Sequence, residues 1–176
     1  MFTEQIRIYG IYSKIAKKYS KDNSIEKSEP FNLVDKNGKE SNTVNVYIFD
    51  TILDCLLVAT MLGIIHNRKE EESMDKNNTA TVFAEILIKK NKLLERIYQH
   101  MVLTRYTNLT IDERIKKAFG IISPDEEKIE LENMKAYMRG GLVIIDEYFE
   151  NSGTIEGFCN KIIDFINDYS IDFDEQ

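Results

Sequence analysis

The sequence predicts an all-α fold, a mainly helical bundle around one central apolar helix. Three observations carry this reading. The stretch from Ile52 to Ile65 is almost wholly apolar. Two prolines and eight glycines in 176 residues leave room for long helices. Apolar residues also recur at helical spacing on both sides of that stretch. A helix apolar all round must be enclosed, so the remaining helices are expected to wrap it as a single domain over residues 1–176.

The elements follow in chain order. Ile8, Tyr12, Ile15, Ala16 and Tyr19 fit a helix over residues 4–20, with Thr3 as its cap. Residues 21–47 read as a polar connecting segment. Pro30 and the turn pair Asn37-Gly38, between short apolar runs, fit either one small β-hairpin near residues 31–48 or an irregular loop. The central helix is expected from Asp50 to about His66. Residues 67–79 are highly charged and read as a second, flexible connecting segment.

Thr79 is placed to cap a long helix from about Ala80 to Tyr106. Its apolar positions include Val82, Phe83, Ile86, Leu93, Leu94, Ile97, Tyr98 and Met101. Thr110-Ile-Asp-Glu113 fits a capping box, opening a short helix that ends near Gly120. Ser123-Pro-Asp-Glu126 opens the next, with a cap, a first-position proline and first-turn acids. That helix is expected to run to about Asn151. Gly140-Gly141 inside it weakens it by roughly 1 kcal/mol per glycine, and marks a kink, a close crossing or a break. The last helix should begin near Thr154, and the acidic tail from Asp168 onward is expected to fray.

Charge narrows the function classes. The chain carries 30 acidic and 23 basic side chains, a net charge of -7, which argues against a nucleic-acid binder over its whole surface. The distribution is uneven. Residues 81–117 hold eight basic and four acidic side chains, whereas residues 118–176 hold four and fourteen. Such polarity suits docking between unlike protein surfaces, or solubility alone. Cys55 and Cys159 lack metal-ligand spacing and read as reduced core residues of a cytoplasmic protein. The first residues lack a charged-then-apolar leader pattern. The central apolar run is too short for a bilayer, which needs about 20 residues. No membrane partner, metal or other cofactor is expected.

Three sets of residues invite a functional reading. Lys89, Lys90, Lys92 and Arg96, with Arg114, Lys116 and Lys117, are the candidates for phosphate contact, with Tyr98 and Tyr106 available to stack on bases. The bland reading is a solvated basic face and a tyrosine stripe turned to the core. Asp125, Glu126, Glu127 and Glu130, with Tyr148 and Phe149, are the candidates for protein contact. Asp50, Asp54, Asp146 and Glu147 would serve a metal only if they converge, and Asp50 more simply serves as an N-cap or first-turn acid of the central helix. Asp54 interrupts the apolar run, and its simplest role is a structural ion pair with Arg105 or Arg139. His66 and the cations after it suit a helix C-terminus, and two histidines 34 residues apart make a histidine metal site implausible. No nucleophile-elbow, phosphate-loop or zinc-protease motif occurs.

The stretch Tyr47 to Arg68 is similar to a segment of small accessory proteins that accompany bacterial DNA phosphorothioation (Dnd) defence clusters. The shared pattern is a phenylalanine, an aspartate five residues on, an alanine-containing apolar turn, a glycine and a basic residue, here Phe49, Asp54, Ala59, Gly63 and Arg68. The resemblance covers 22 of the 176 residues. It implies an accessory role in a phage-defence or DNA-modification cassette. The leading expectation is therefore a non-enzymatic adaptor that binds protein subunits of a larger complex, with DNA reached through that complex. The alternatives are a nucleic-acid-binding regulator using residues 89–117 and a metal-dependent enzyme using Asp54 with Asp146 and Glu147. Spare apolar positions, such as Tyr148-Phe149 beside Tyr137-Met138, leave a homo-oligomer open.

Overall fold

A computed structural model describes residues 5–21, 47–120, 123–150, 152 and 155–169. Among these, seven helices and one two-stranded sheet make a mainly all-α fold. One apolar core draws on every element.

The chain enters as strand β1, Ile6–Tyr9, and then as helix α1, Gly10–Tyr19. The single helix expected over 4–20 is thus corrected. Ile6 and Ile8 are buried while Arg7 between them is exposed, which is a strand pattern. Gly10 makes the turn into α1 at φ +59, and its amide donates to the Asn78 carbonyl at 2.8 Å. The partner strand β2, Thr79–Val82, pairs antiparallel to β1, with Ile6 opposite Val82 and Tyr9 opposite Thr79. The sheet therefore forms from two segments the sequence reading assigned to helices. The hairpin expected near 31–48 lies almost wholly outside the described residues, as does most of the 21–47 segment.

Helix α2, Ile52–Ile65, is the central one. Thr51, not Asp50, caps it, accepting from the Asp54 amide at 3.1 Å. Nine of its residues are buried. Enclosure is nevertheless incomplete. Asp54, Val58 and Met61 are half-buried and Ile65 is exposed, and their spacing puts them on one stripe. The helix ends with Asn67 in the left-handed region at φ 51. The Asn67 amide donates to the Ile64 carbonyl and the Arg68 amide to the Gly63 carbonyl, at 3.1 and 2.9 Å. This is a Schellman termination, with Asn replacing the usual glycine.

The long helix expected from 80 to 106 is three elements. β2 is followed by α3, Ala84–Lys89, and then by α4, Asn91–Arg105, with a break at Lys90. No proline or glycine marks that break. Helix α5, Ile111–Phe119, opens with the expected capping box at Thr110 and Glu113 and ends at Gly120. Helix α6, Pro124–Phe149, opens with the second expected box, at Ser123 and Glu126. It runs unbroken through Gly140-Gly141. Helix α7, Ile155–Tyr169, follows. The tail after it lies outside the described residues.

The glycine pair resolves as a close crossing. A Cβ on Gly141 would meet the Ala59 carbonyl oxygen at 1.6 Å, and one on Gly63 would meet the Tyr137 carbonyl oxygen at 2.0 Å. Helices α2 and α6 thus touch backbone to backbone. Gly140 does the same for the segment after α2, where its Cβ would lie 2.1 Å from the Arg68 carbonyl oxygen. Nor is that segment loose. The Glu70 amide donates to the Ala136 carbonyl at 3.1 Å, and Arg139 Nε donates to the Glu70 carbonyl at 2.8 Å. Arg68 reaches both Glu147 carboxylate oxygens, at 2.6 and 3.0 Å. Residues 67–70 are consequently a strap fixed along α6, and Asn78 is tied to the start of α1 through the Gly10 amide.

No helix among the described residues is long and apolar enough to cross a membrane.

Candidate functional site

The acidic and basic candidates divide into residues spent inside the fold and residues left at its surface. Glu130 is buried, at 3% exposure, and is no contact residue. It receives the Lys117 ammonium at 2.8 Å and the Tyr106 hydroxyl in a short hydrogen bond. Asn133 donates to the same hydroxyl at 3.2 Å. A buried carboxylate needs such partners, and this one takes Lys117 from the phosphate-contact set. Arg114 is drawn inward too, donating to the Leu103 carbonyl at 2.8 Å.

The tyrosines follow the same logic. Tyr98 is buried and donates to the Lys117 carbonyl at 3.2 Å, and Tyr106 is committed to Glu130, so neither stands ready to stack on a base. Burial first, then the hydrogen bond to Glu130, raises the Tyr106 pKa above its ordinary 10. For Tyr98, burial followed by the field of Glu130 pushes it to about 12.

Phe149 is fully buried in an aromatic cluster with Tyr19, Tyr148, Phe158 and Phe165, at centroid distances of 5.2–5.8 Å. Its expected role in protein contact is corrected on that ground. Tyr148 is half-buried and donates to Asp168 at 3.1 Å. Tyr137 and Met138 are buried as well, which removes the apolar group first offered for self-association. Asp125 and Glu126 remain exposed and Glu127 half-exposed. Glu126 is occupied by its own helix cap, which holds its carboxyl below the usual range through the Ser123 amide.

Of the carboxylates proposed for a metal, Asp54, Asp146 and Glu147 are each committed elsewhere. Asp54 accepts from the Thr51 hydroxyl at 2.7 Å and lies 3.9 Å from Lys90, so it is neither buried nor paired with Arg105 or Arg139. Arg105 donates instead to the Ile65 carbonyl at 2.9 Å. Asp146 accepts from Lys18 and from Tyr19, both at 2.8 Å. Glu147 is the partner of Arg68, whose hydrogen bonds lower its pKa. Among the described residues no group of three or more His, Cys, Asp or Glu is placed to hold a metal ion.

What remains outside is apolar as much as charged. Phe83, Ile86, Ile88 and Leu93 are exposed around the α3–α4 break, the first three by 45–59%. Sequence periodicity had turned Phe83, Ile86 and Leu93 to the core. The break at Lys90 resets the helical phase, and only Leu87 of α3 is buried. A shallow cleft of about 510 Å³ opens at the break, lined by Ile88, Lys89, Lys90, Asn91, Lys92, Leu93 and Arg96. Lys89, Lys92 and Arg96 pair with no acid among the described residues.

A second apolar face lies on α5. Ile111, Ile115 and Phe119 stand at i, i+4 and i+8 and are 67%, 46% and 63% exposed, while Ala118 beside them anchors the helix to the core. Ile129, next to the Glu130 that binds Lys117, adds another at 61%. A third lies on α7, where Cys159, Ile163 and Ile166 are exposed on a helix whose Phe158 and Phe165 are buried. Cys159 is thereby corrected from core to surface. Cys55 is buried as expected, and burial pushes its thiol up to about 12.

No protein-family model, curated protein or solved structure matches the chain.

Proposed function

We propose that the protein is a non-catalytic accessory subunit that docks onto protein partners, with the exposed apolar stripe of α5 as its main contact. One observation carries this. Ile111, Ile115 and Phe119 line a helix held by a capping box and a core anchor, yet nearly half or more of each faces solvent. Contiguous apolar surface on an ordered helix favours burial against another chain, at about 25 cal/mol per Å² covered.

The Dnd-like segment fits an accessory role in a bacterial defence or DNA-processing complex. Its five positions also have structural work. Phe49 bonds backbone to backbone with Tyr19, Asp54 closes the first turn of α2, and Ala59 and Gly63 form the crossing with α6. Arg68 completes the Schellman end and holds Glu147. The adaptor reading therefore rests on α5 more than on the resemblance.

Affinity-tagged protein recovered from its native host should bring a stoichiometric partner. Ile115→Asp with Phe119→Asp should lose that partner while the circular dichroism spectrum stays helical. Recovery of the wild-type chain alone would sink the proposal.

A further inference from the structure

At the corner where α3 meets α4, cations and aliphatic side chains share one surface. Ile88 and Leu93 line the shallow cleft there together with Lys89, Lys92 and Arg96. All five are exposed. Among the described residues no acid lines the cleft. Glu95 is occupied by the Asn91 amide at 3.1 Å, and Asp54 lies 3.9 Å from Lys90. Glu85, one turn before Lys89, is the exposed acid of α3.

The backbone turns this surface outward. Leu87 is the one buried residue of α3. Ile86 and Ile88 stand about 100° to either side of it, at 3.6 residues per turn. Both are exposed, so α3 is a ridge with apolar flanks rather than the wall of a groove. A rigid protein surface shaped for one flank leaves the other in water. A nucleic-acid strand offers phosphates to the cations and nothing to the aliphatic residues. An anionic bilayer meets both demands. Its headgroups complement the cations, and its deformable headgroup–acyl boundary accepts apolar side chains on more than one side.

We propose that the α3–α4 corner docks on the surface of an anionic phospholipid bilayer. Lys89, Lys92 and Arg96 meet the headgroup phosphates, while Ile86, Ile88 and Leu93 enter the boundary with the acyl chains. The contact is peripheral. No helix among the described residues is long and apolar enough to cross a membrane, a criterion that concerns spanning alone. The sequence expectation of no membrane partner likewise concerned leader and spanning segments, not surface attachment. This surface is separate from the α5 stripe.

Flotation of the purified full chain with vesicles tests it. Vesicles of phosphatidylcholine and phosphatidylglycerol in equal parts should carry the chain upward. Vesicles of phosphatidylcholine alone should bind it at least about tenfold more weakly. Raising the salt should weaken binding to the anionic vesicles. Each cation near such a surface strengthens binding about fivefold, so Lys89→Ala with Lys92→Ala and Arg96→Ala should weaken it about a hundredfold. Ile88→Ser with Leu93→Ser should weaken it at least about tenfold at any salt. Glu85→Lys should tighten it at least about fivefold. These positions are exposed, so each variant should keep its helical circular dichroism. A wild-type chain that floats with neither vesicle overturns the proposal. So does equal binding to both vesicles, or a cation or aliphatic variant that binds like wild type. If the wild-type chain ignores vesicles but holds DNA or an acidic protein through these cations, the corner belongs to that ligand and the proposal falls. Because no other protein is present in the flotation, failure there leaves the pull-down on α5 to decide the adaptor reading independently.

Discussion

The α-carbon of Gly141 sits so close to the carbonyl of Ala59 that a Cβ there would approach the oxygen to 1.6 Å. In an exposed helix, glycine to alanine is stabilising by about 1 kcal/mol, because alanine loses less backbone entropy on folding. Here the packing term opposes and outweighs it. Helices α2 and α6 would have to separate across the most buried part of the core, at a cost of about 1–3 kcal/mol or more. Gly141→Ala should therefore destabilise, seen as a lower urea midpoint. A rise in that midpoint would show that the crossing is looser than the geometry requires.

The two cysteines should separate in reactivity. Cys159 is exposed and Cys55 is fully buried, with its thiol pushed up to about 12 by burial. The thiolate is the reactive form, and access is needed as well. A disulfide-exchange reagent should label one thiol of the native chain quickly and the second only after denaturant is added. Cys159→Ser should abolish the fast phase.

Stability should fall at both ends of the pH scale, for different residues. Arg68's hydrogen bonds hold Glu147 below the ordinary carboxylate value of 4.5, and the Thr110 and Ser123 amides do the same for Glu113 and Glu126. Native pKa values below the unfolded ones mean that the unfolded chain binds more protons in that range. The stability they give is complete above about pH 4.5 and is lost as pH falls through the lowered native values. At the other end, burial followed by the Asp146 charge raises Tyr19, and burial with the Glu130 bond raises Tyr106. Their contribution is whole below pH 10, the ordinary value, and is lost as pH rises beyond it. Urea midpoints measured from pH 3 to 11 should form a plateau with losses on both sides. Glu147→Gln should flatten the acid limb.

Much of the helical plan was legible because its signals are local. Thr110 with Glu113 and Ser123 with Glu126 are capping boxes written within four residues, and both occur as read. The apolar run at Ile52 announced a buried helix, since its 14 residues exceed the usual length of a buried strand. What escaped were features decided by distant partners. Ile6-Arg7-Ile8 alternates like a strand, but four residues are too few to outvote the helical spacing that follows. Its partner is more than seventy residues away. Asp54 looked buried because its neighbours are, yet it falls on the one open stripe of α2. Glu130 looked like surface because its neighbours are acidic, yet its position faces Tyr106 and Lys117. The exposed α5 stripe is a 3.6-residue pattern indistinguishable from a core-facing one until the fold shows Ile111, Ile115 and Phe119 turned outward from the described residues.

Glu130 and Lys117 offer the sharpest test of how the acidic and basic helices are joined. Glu130 is buried and Lys117 is one-fifth exposed, so solvent only partly screens their contact. Removing one member of a buried pair strands the other, and such losses run to about 3–5 kcal/mol. Lys117→Met should cost somewhat less than that, because Tyr106 still donates to the carboxylate and water reaches the lysine site. Glu130→Leu strands an ammonium that can turn outward, so its cost should be smaller again. Replacing both residues leaves neither charge stranded, and the double variant should lie closer to wild type than Lys117→Met does. The thermodynamic cycle should then give a coupling energy of at least about 1 kcal/mol. Additive single losses would mean that the pair does not interact in solution, and that the two groups are held by Tyr106 and the surrounding packing alone.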